Sequence, residues 1–327
     1  MEKPLNTPTR NPHGEYTRSL AGYRSLKEGA ALVDRSTRAI FKLTGKDPVG
    51  MLNAVLTNNV PKEGNLGTYA ALLSPKGRIQ TDLRVLKWAD EVLVDTEPEG
   101  SEAVREILGR YAPFSRVKIE DFSGGSTPWS ILGLYGPRAK GLLGGLRLTE
   151  HESSRIEVCA TEVLAAGVAE PVPGFDLVGP AYALQTAREY LLEAGATPAS
   201  PDAYETVRVA AGVPRFGADI TPQNFPAEAG ILERAVSFEK GCYPGQETVA
   251  RMHYRGHPNK TLHRLAVEGP LPDPGTPIVQ HGKQVGKITS VAPLPINGRR
   301  LALGYLFRNA RTDAPLSAGE ATVFLAP

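Results

Sequence analysis

Cysteine is scarce in this chain: two thiols, Cys159 and Cys242, among 327 residues. Two cysteines cannot build a disulfide framework, and no C-x-x-C pair exists for zinc or an iron–sulfur cluster. Reduced thiols and a cytoplasmic setting are the simplest expectation. An excess of one charge is also lacking. Thirty-seven Lys and Arg stand against 35 Asp and Glu, a net +2. No global field attracts nucleic acid or a membrane, so such a partner would need a local patch. No apolar run approaches the roughly 20 residues that span a bilayer. Glu2, Pro4, Pro8, Pro12 and Glu15 interrupt the amino terminus, which argues against a signal peptide. Gly133-Leu134-Tyr135-Gly136 resembles a nucleotide loop, but it lacks the G-x-G-x-x-G spacing and the later acid. No Ser/His/Asp arrangement stands out.

Glycine (34) and proline (28) are plentiful. Apolar periodic segments recur between them, so they signal turns and short elements rather than disorder. The amino-terminal part reads as mixed α and β. Tyr16 to Gly29 is expected to be helical. Asp47-Pro48 is an N-cap with proline at the first helical position, leading a helix to about Leu56. Thr68 to Leu73, Arg78 to Lys87 and Glu91 to Thr96 read as an antiparallel meander. Ser101 is read as the cap of a helix to Tyr111. After Ser123-Gly124-Gly125-Ser126 the pattern repeats loosely, with a strand over Trp129 to Tyr135. Further strands are read at Ile156 to Ala160 and Glu162 to Ala166. Helices follow over Ala181 to Ala194 and Pro201 to Ala211. From Asn259 onward only short strands and turns remain, which predicts a small all-β sandwich or barrel. The expected domains are 1–125, 126–258 and 259–327.

The richest stretch is Lys240-Gly241-Cys242-Tyr243-Pro244-Gly245-Gln246-Glu247. It sets a thiol beside a lysine and just ahead of a helix-like run from Gln246 to Met252. Peptide dipoles and a nearby ammonium would both favour the reactive thiolate. Otherwise Cys242 is a small residue packed under a turn. Cys159, inside an apolar periodic segment, reads as structural. The Gly212–Gly230 segment is a long, proline-rich loop. Its Glu228 could offer two carboxylate oxygens to the amino group and ring N–H of a pterin, or answer the dipole of the helix that follows. Asp82 is an unusual strand residue. It would face either a ligand cavity or solvent. Arg251, Arg255, Lys260 and Arg264, with three histidines and no acid, form a basic patch for an anion or a phosphate backbone. Read otherwise, they form a solvated linker. Gly256 and Pro258 argue against His253 and His257 sharing a helix as metal ligands, and no metal site is expected.

The octapeptide resembles the signature of the YgfZ-type folate-binding proteins, relatives of the glycine cleavage aminomethyltransferase, or T-protein. Leu32-Val33-Asp34-Arg35-Ser36, Leu43-Thr44-Gly45-Lys46-Asp47, Leu56-Thr57-Asn58-Asn59-Val60, Lys76-Gly77-Arg78 and Gly286-Lys287-Ile288-Thr289-Ser290 follow in the family's order. The resemblance implies an α+β fold of three domains, two interleaved around a central opening and a carboxy-terminal β-barrel. It also implies tetrahydrofolate as cofactor. By position, Glu228 resembles the pterin-reading glutamate, and Asp82 the second acid of the T-protein Asp-Asp pair. Phe216 occupies a place where an aromatic could flank the pterin. Thr81 stands where T-proteins carry the first acid, while Cys242 and Gln246 follow the YgfZ-type signature. The implied role is support of iron–sulfur cluster assembly or repair, including iron–sulfur enzymes of tRNA modification. The implied partners are those clients or assembly proteins. A folate-dependent aminomethyl or methyl transferase is the alternative, with Cys242 and Asp82 as the chemical residues. An RNA-binding module with tRNA contact through Arg251 and Arg255 is the third reading.

Overall fold

A computed structural model describes residues 12–326; the amino-terminal reading falls largely on residues outside that range. Two antiparallel-rich sheets lie at the centre. The first is contiguous in sequence, ordered Thr68–Leu73, Ile79–Trp88, Glu91–Thr96, Ala39–Gly45 and Val117–Asp121. The second is ordered Thr197–Ala199, Ala31–Asp34, Trp129–Tyr135, Gly174–Pro180, Thr161–Val168 and Ser153–Val158. Ala31–Asp34 therefore pairs with strands a hundred residues later, parallel to one and antiparallel to the other. A contiguous division at residue 125 does not follow the sheets, which interleave.

Each sheet buries its outer face under helices. Phe41, Leu72 and Leu83 pack on Leu52 of the Pro48–Val55 helix and Leu108 of the Ser101–Ser115 helix. Asp47 caps the former through a 2.8 Å bond from Gly50 N–H. The latter begins after Gly100 at its N-cap, with no side-chain cap from Ser101. Leu134 and Leu177 pack on Leu184 and Leu191 of the Ala181–Glu193 helix. The inner faces meet through Ile40, Leu86, Leu93, Ile131, Leu164 and Val178. Each such side chain contributes roughly 1.5–3 kcal/mol when fully buried, so the sheets are held rigidly together. The segment from Phe216 to Val249 then returns to the first sheet, packing on Ala71, Leu73 and Ile79.

The carboxy-terminal unit is a closed six-stranded barrel, running Lys260–Glu268, Arg300–Phe307, Lys283–Val291, Pro277–Gln280, Leu316–Ala318 and Ala321–Leu325. Closure removes the exposed sheet edges. The Leu316–Ala318 strand completes the ring with only three residues, too few for an alternation to be read. The barrel docks through buried Asp219, which takes Arg208 at 2.7 Å and the hydroxyls of Thr289 and Ser290 at 2.5 and 2.8 Å. Cys159 lies not in an apolar core but exposed in a turn, with left-handed backbone at φ +50°. No helix among the described residues is long and apolar enough to cross a membrane.

Gly133 makes room for the fully buried Tyr135 ring. A Cβ there would stand 2.3 Å from Cε2 of Tyr135, two residues along the same strand face. Gly133→Ala is expected to cost about 1–3 kcal/mol by overpacking, measured as a lower urea midpoint.

Candidate functional site

A cavity of about 670 Å³ opens where the two sheets, the Pro201–Ala211 helix and the returning segment meet. Its floor is a buried ion network. Asp95 receives Arg38 Nη2 and Arg84 Nε, each at 3.0 Å. Asp176, from the other sheet, pairs with Arg35 Nη1 at 2.9 Å and Arg84 Nη1 at 2.6 Å. Tyr135 donates its hydroxyl to Asp176, accepts from Arg35 at 3.0 Å, and stacks on Tyr204 at 5.7 Å. Burial opposes both carboxylate charges, but the arginines overcome it and hold both acids below the usual carboxylate range.

Asp82 also lines the cavity, two residues before Arg84 on the same strand face. It is buried, and among the described residues no cation pairs with it; its partner is the Tyr69 hydroxyl, donating at 2.6 Å. Burial raises its pKa to about 6, only partly offset by Tyr69 and the more distant Arg38. It can therefore hold or accept a proton near neutrality. Thr81 faces the other way, with Oγ1 2.9 Å from Thr96 Oγ1 and from the Asp82 carbonyl. Phe216 lines the cavity wall. Arg234 lies 5.4 Å over the Tyr69 ring and bridges Glu150 at 2.6 Å and Glu170 at the rim. His151 stands beside Glu150, and its Nδ1 is buried without a hydrogen-bond partner among the described residues.

Glu228 is not at this cavity. It lines a separate cleft with Arg78, Lys260 and Phe307 beside the barrel. It is the third residue of the short Pro226–Ala229 helix, and its carboxylate accepts the Phe225 N–H at 3.1 Å. One carboxylate oxygen thus answers orphan backbone at a helix start.

The octapeptide packs on the turn at Ser74–Gly77 rather than in the cavity. Gly245 has φ +82°, and a Cβ there would lie 2.6 Å from Ser74 O and 2.8 Å from Gly77 Cα. Glycine is needed on both counts. Cys242 and Gly241 are exposed, and the Gln246–Arg255 helix begins just beyond. Glu247 is exposed in its first turn, with Gln246 beside it. The Lys240 ammonium is engaged by backbone. Nζ donates to the carbonyls of Asn53 at 3.0 Å, Leu56 and Asn58 at 3.1 Å, closing the end of the Pro48–Val55 helix. Burial lowers its pKa to about 8. Tyr243 is buried under it, with Lys240 Nζ 5.3 Å from the ring centroid. Arg251 and Arg255 are exposed on the helix, beside Tyr254 and a His253 ring stacked 4.2 Å from Phe238. No group of metal-ligating side chains occurs among the described residues.

Arg35, Arg38, Arg84, Asp95, Tyr135, Asp176 and His151 were not marked by any motif as site residues. Their signal in sequence is faint: charged residues within otherwise apolar strands, as at Arg84, Asp95 and Asp176.

The GCVT N-terminal domain family matches residues 16–240, and the family described as CAF17, C-terminal beta-barrel domain, matches 259–327. The chain is 26% identical to an aminomethyltransferase of Moorella thermoacetica, covering 88% of this chain and 81% of that one. It is 29% identical to one of Streptomyces avermitilis, covering 90% and 82%. The glycine cleavage system aminomethyltransferase T of Bartonella henselae superposes with a TM-score of 0.82 at 19% identity, over 94% of this chain and 88% of that one. The fold is thus that of the T-protein.

Two outcomes follow from the charges. Arg84→Met leaves two buried carboxylates with one cation each and is expected to destabilise by about 3–5 kcal/mol in chemical denaturation. Asp82 has a folded pKa raised from 3.8 to about 6, so its contribution favours folding below pH 4 and is lost as pH rises through 6. Asp82→Asn should therefore be more stable than the parent at pH 8, by up to about 3 kcal/mol. The gain should vanish near pH 4 in paired thermal melts.

Proposed function

The chain belongs to the GCVT N-terminal domain family, and from that premise we propose that it is a tetrahydrofolate-binding accessory protein supporting iron–sulfur cluster assembly or repair, with Cys242 as its essential thiol. Clients would include iron–sulfur enzymes of tRNA modification. The observation that carries this reading is a division of labour. Asp82 is the buried carboxylate of the cavity wall that has no ion pair among the described residues, whereas Cys242 is exposed outside the cavity on the octapeptide.

The residues present fit a folate. A cavity of about 670 Å³ lies in the range of small-molecule sites. It offers the Asp82 carboxylate and an aromatic at Phe216. Bound tetrahydrofolate supplies nitrogens able to carry a one-carbon unit. Asp82 would orient its ring and hold or accept a proton, with Tyr69 fixing the carboxylate. Arg38 and Arg84 are committed to Asp95, so they shape the floor rather than compete for the ligand. Cys242 would meet the client or its cluster at the surface. The neighbouring Arg251 and Arg255 would draw in an anionic face of that partner.

A second reading, a folate-dependent aminomethyl or methyl transferase, is favoured by the raised pKa of Asp82, which suits a proton-moving group. Its mark would be sustained formation of methylene-tetrahydrofolate from a lipoyl-linked or free amine donor. Such turnover would replace the accessory role.

Calorimetric titration should give saturable tetrahydrofolate binding, weakened about tenfold or more by Asp82→Asn. Cys242→Ala should bind folate as the parent does, yet fail to restore iron–sulfur enzyme activity in a strain lacking the protein. Full restoration by that variant would sink the role given to the thiol.

A further inference from the structure

Six arginines line the central cavity, and five of them are spent. Arg35, Arg38 and Arg84 serve the buried acids of the floor. Arg208 is divided between Glu205 and Asp219, at 2.6 and 2.7 Å. Arg234 bridges Glu150 and Glu170 at the rim. Arg215 differs. Its guanidinium makes no hydrogen bond among the described residues. Its one ion pair is a loose 3.9 Å contact with Glu205, whose two oxygens already accept from Arg208 at 2.8 and 2.6 Å. The side chain is 46% exposed, so a ligand can reach it.

The backbone that carries Arg215 is fixed. Its N–H donates to Asp219 Oδ2 at 3.0 Å, and its carbonyl accepts from the Asp219 N–H at 2.8 Å. Asp219 also holds Thr289 and Ser290, so one buried acid sets Arg215 against the Lys283–Val291 strand of the barrel. A cleft of about 400 Å³ lies there, lined by Arg215, Gly217, Gly275, Lys287 and Thr289 among others. Glu205 and Arg215 line both this cleft and the central cavity, so the two spaces adjoin at these residues. Lys287 is exposed and has no ion pair among the described residues. Glu205 is the one acid lining the cleft, and Arg208 answers it. Glu99 lies against Gly217 but lines neither space. The cleft is therefore net positive, whereas Glu150 and Glu170 share one arginine at the rim.

We propose that Arg215 is a ligand-contacting, specificity-determining residue that receives a carboxylate of the glutamyl tail of a bound reduced folate, and that the cleft towards Lys287 takes further γ-linked glutamates. The proposal rests on the folate reading and narrows its ligand class to polyglutamyl forms. A folate joins an uncharged pteridine, through p-aminobenzoate, to glutamate, and each added γ-linked residue brings one more carboxylate. The acids at Glu150 and Glu170 repel such a tail. Arg215 offers it a planar fork of unspent donors, which matches a carboxylate in bidentate geometry. Lys287 adds a point charge further along the barrel, where the attraction is weaker and screened by salt.

The test is calorimetric titration of the full chain with tetrahydrofolate, its pentaglutamate, and 6-methyltetrahydropterin, which has the reduced ring but no tail. The unsubstituted protein should bind the pentaglutamate about fivefold or more tighter than tetrahydrofolate. Arg215→Gln should weaken tetrahydrofolate about tenfold or more while moving the tailless pterin by less than about twofold. Lys287→Gln, on the barrel, tests the tail independently and should cut the pentaglutamate advantage to about twofold or less. Unchanged tetrahydrofolate affinity in Arg215→Gln, an equal loss for the tailless pterin, or no preference for the pentaglutamate in the unsubstituted protein would overturn the proposal while leaving the folate reading standing. A pentaglutamate advantage that survives Lys287→Gln in full would do the same. Absence of any tetrahydrofolate binding by the unsubstituted protein would overturn both.

Discussion

Arg84 is the interaction on which the rest of this structure depends. One guanidinium reaches Asp95 on its own sheet and Asp176 on the facing sheet. Neither acid could be buried alone, because desolvating a lone carboxylate costs far more than a fold can spare. Arg38 completes Asp95, and Arg35 with Tyr135 completes Asp176. The planar fork of arginine, with its several fixed donors, is what allows one side chain to serve two acids at once. The network registers the two sheets at their inner edge, beyond the apolar contacts of Ile40, Leu86 and Val178. The cavity exists because polar groups replace apolar packing there.

The same network decides the chemistry left over. Three arginines are consumed by structural acids, so the charge within reach of a ligand is not the sum of the residues on the wall. Asp82 is two residues from Arg84 on the same strand face, yet it is served only by the Tyr69 hydroxyl. Burial therefore raises its proton affinity, and the Tyr69 hydroxyl only partly offsets it. Strand alternation then turns Thr81 to the opposite side, where it bonds Thr96. A chain with acids at both positions would place only one of them on this wall unless the strand were bulged. The shift in pairing register at Leu73 and Ile79, just ahead of Thr81, is the local irregularity that sets which one.

Much of the fold was legible because its signals are local. The Thr68–Leu73 and Glu91–Thr96 strands, the Asp47 cap and the Pro201–Ala211 helix follow from alternation, capping and terminal glycine. Strand Gly174–Pro180 was not read, since glycine and proline at its ends and an aspartate inside it mask the pattern. That aspartate is Asp176, so the residue that hid the strand is one the site is built on. Ala31–Asp34 was visible as a string but not as part of the second sheet, because pairing across a hundred residues leaves no local trace. Glu228, among small neighbours, was read both as a ligand contact and as a helix-start glutamate. The same small neighbours suit a tight helix start, and only tertiary placement separates the two.

Lys240 and Cys242 share the octapeptide but have different surroundings in the fold. Two residues apart in sequence, they suggest a cation activating a thiol. In the fold, the ammonium is held by three backbone carbonyls at the end of a helix in the first unit. Those carbonyls are the acceptors that a helix leaves unsatisfied, and a cation there also answers the dipole. The lysine therefore works as an anchor: it ties the octapeptide to the Pro48–Val55 helix, while Gly245 presses against the Ser74–Gly77 turn. With both ends of the motif fixed to the first sheet's periphery and Tyr243 buried between them, Cys242 is left as the exposed member. The motif's glycines, lysine and tyrosine are then best understood as the means of presenting one thiol at a defined point of the surface.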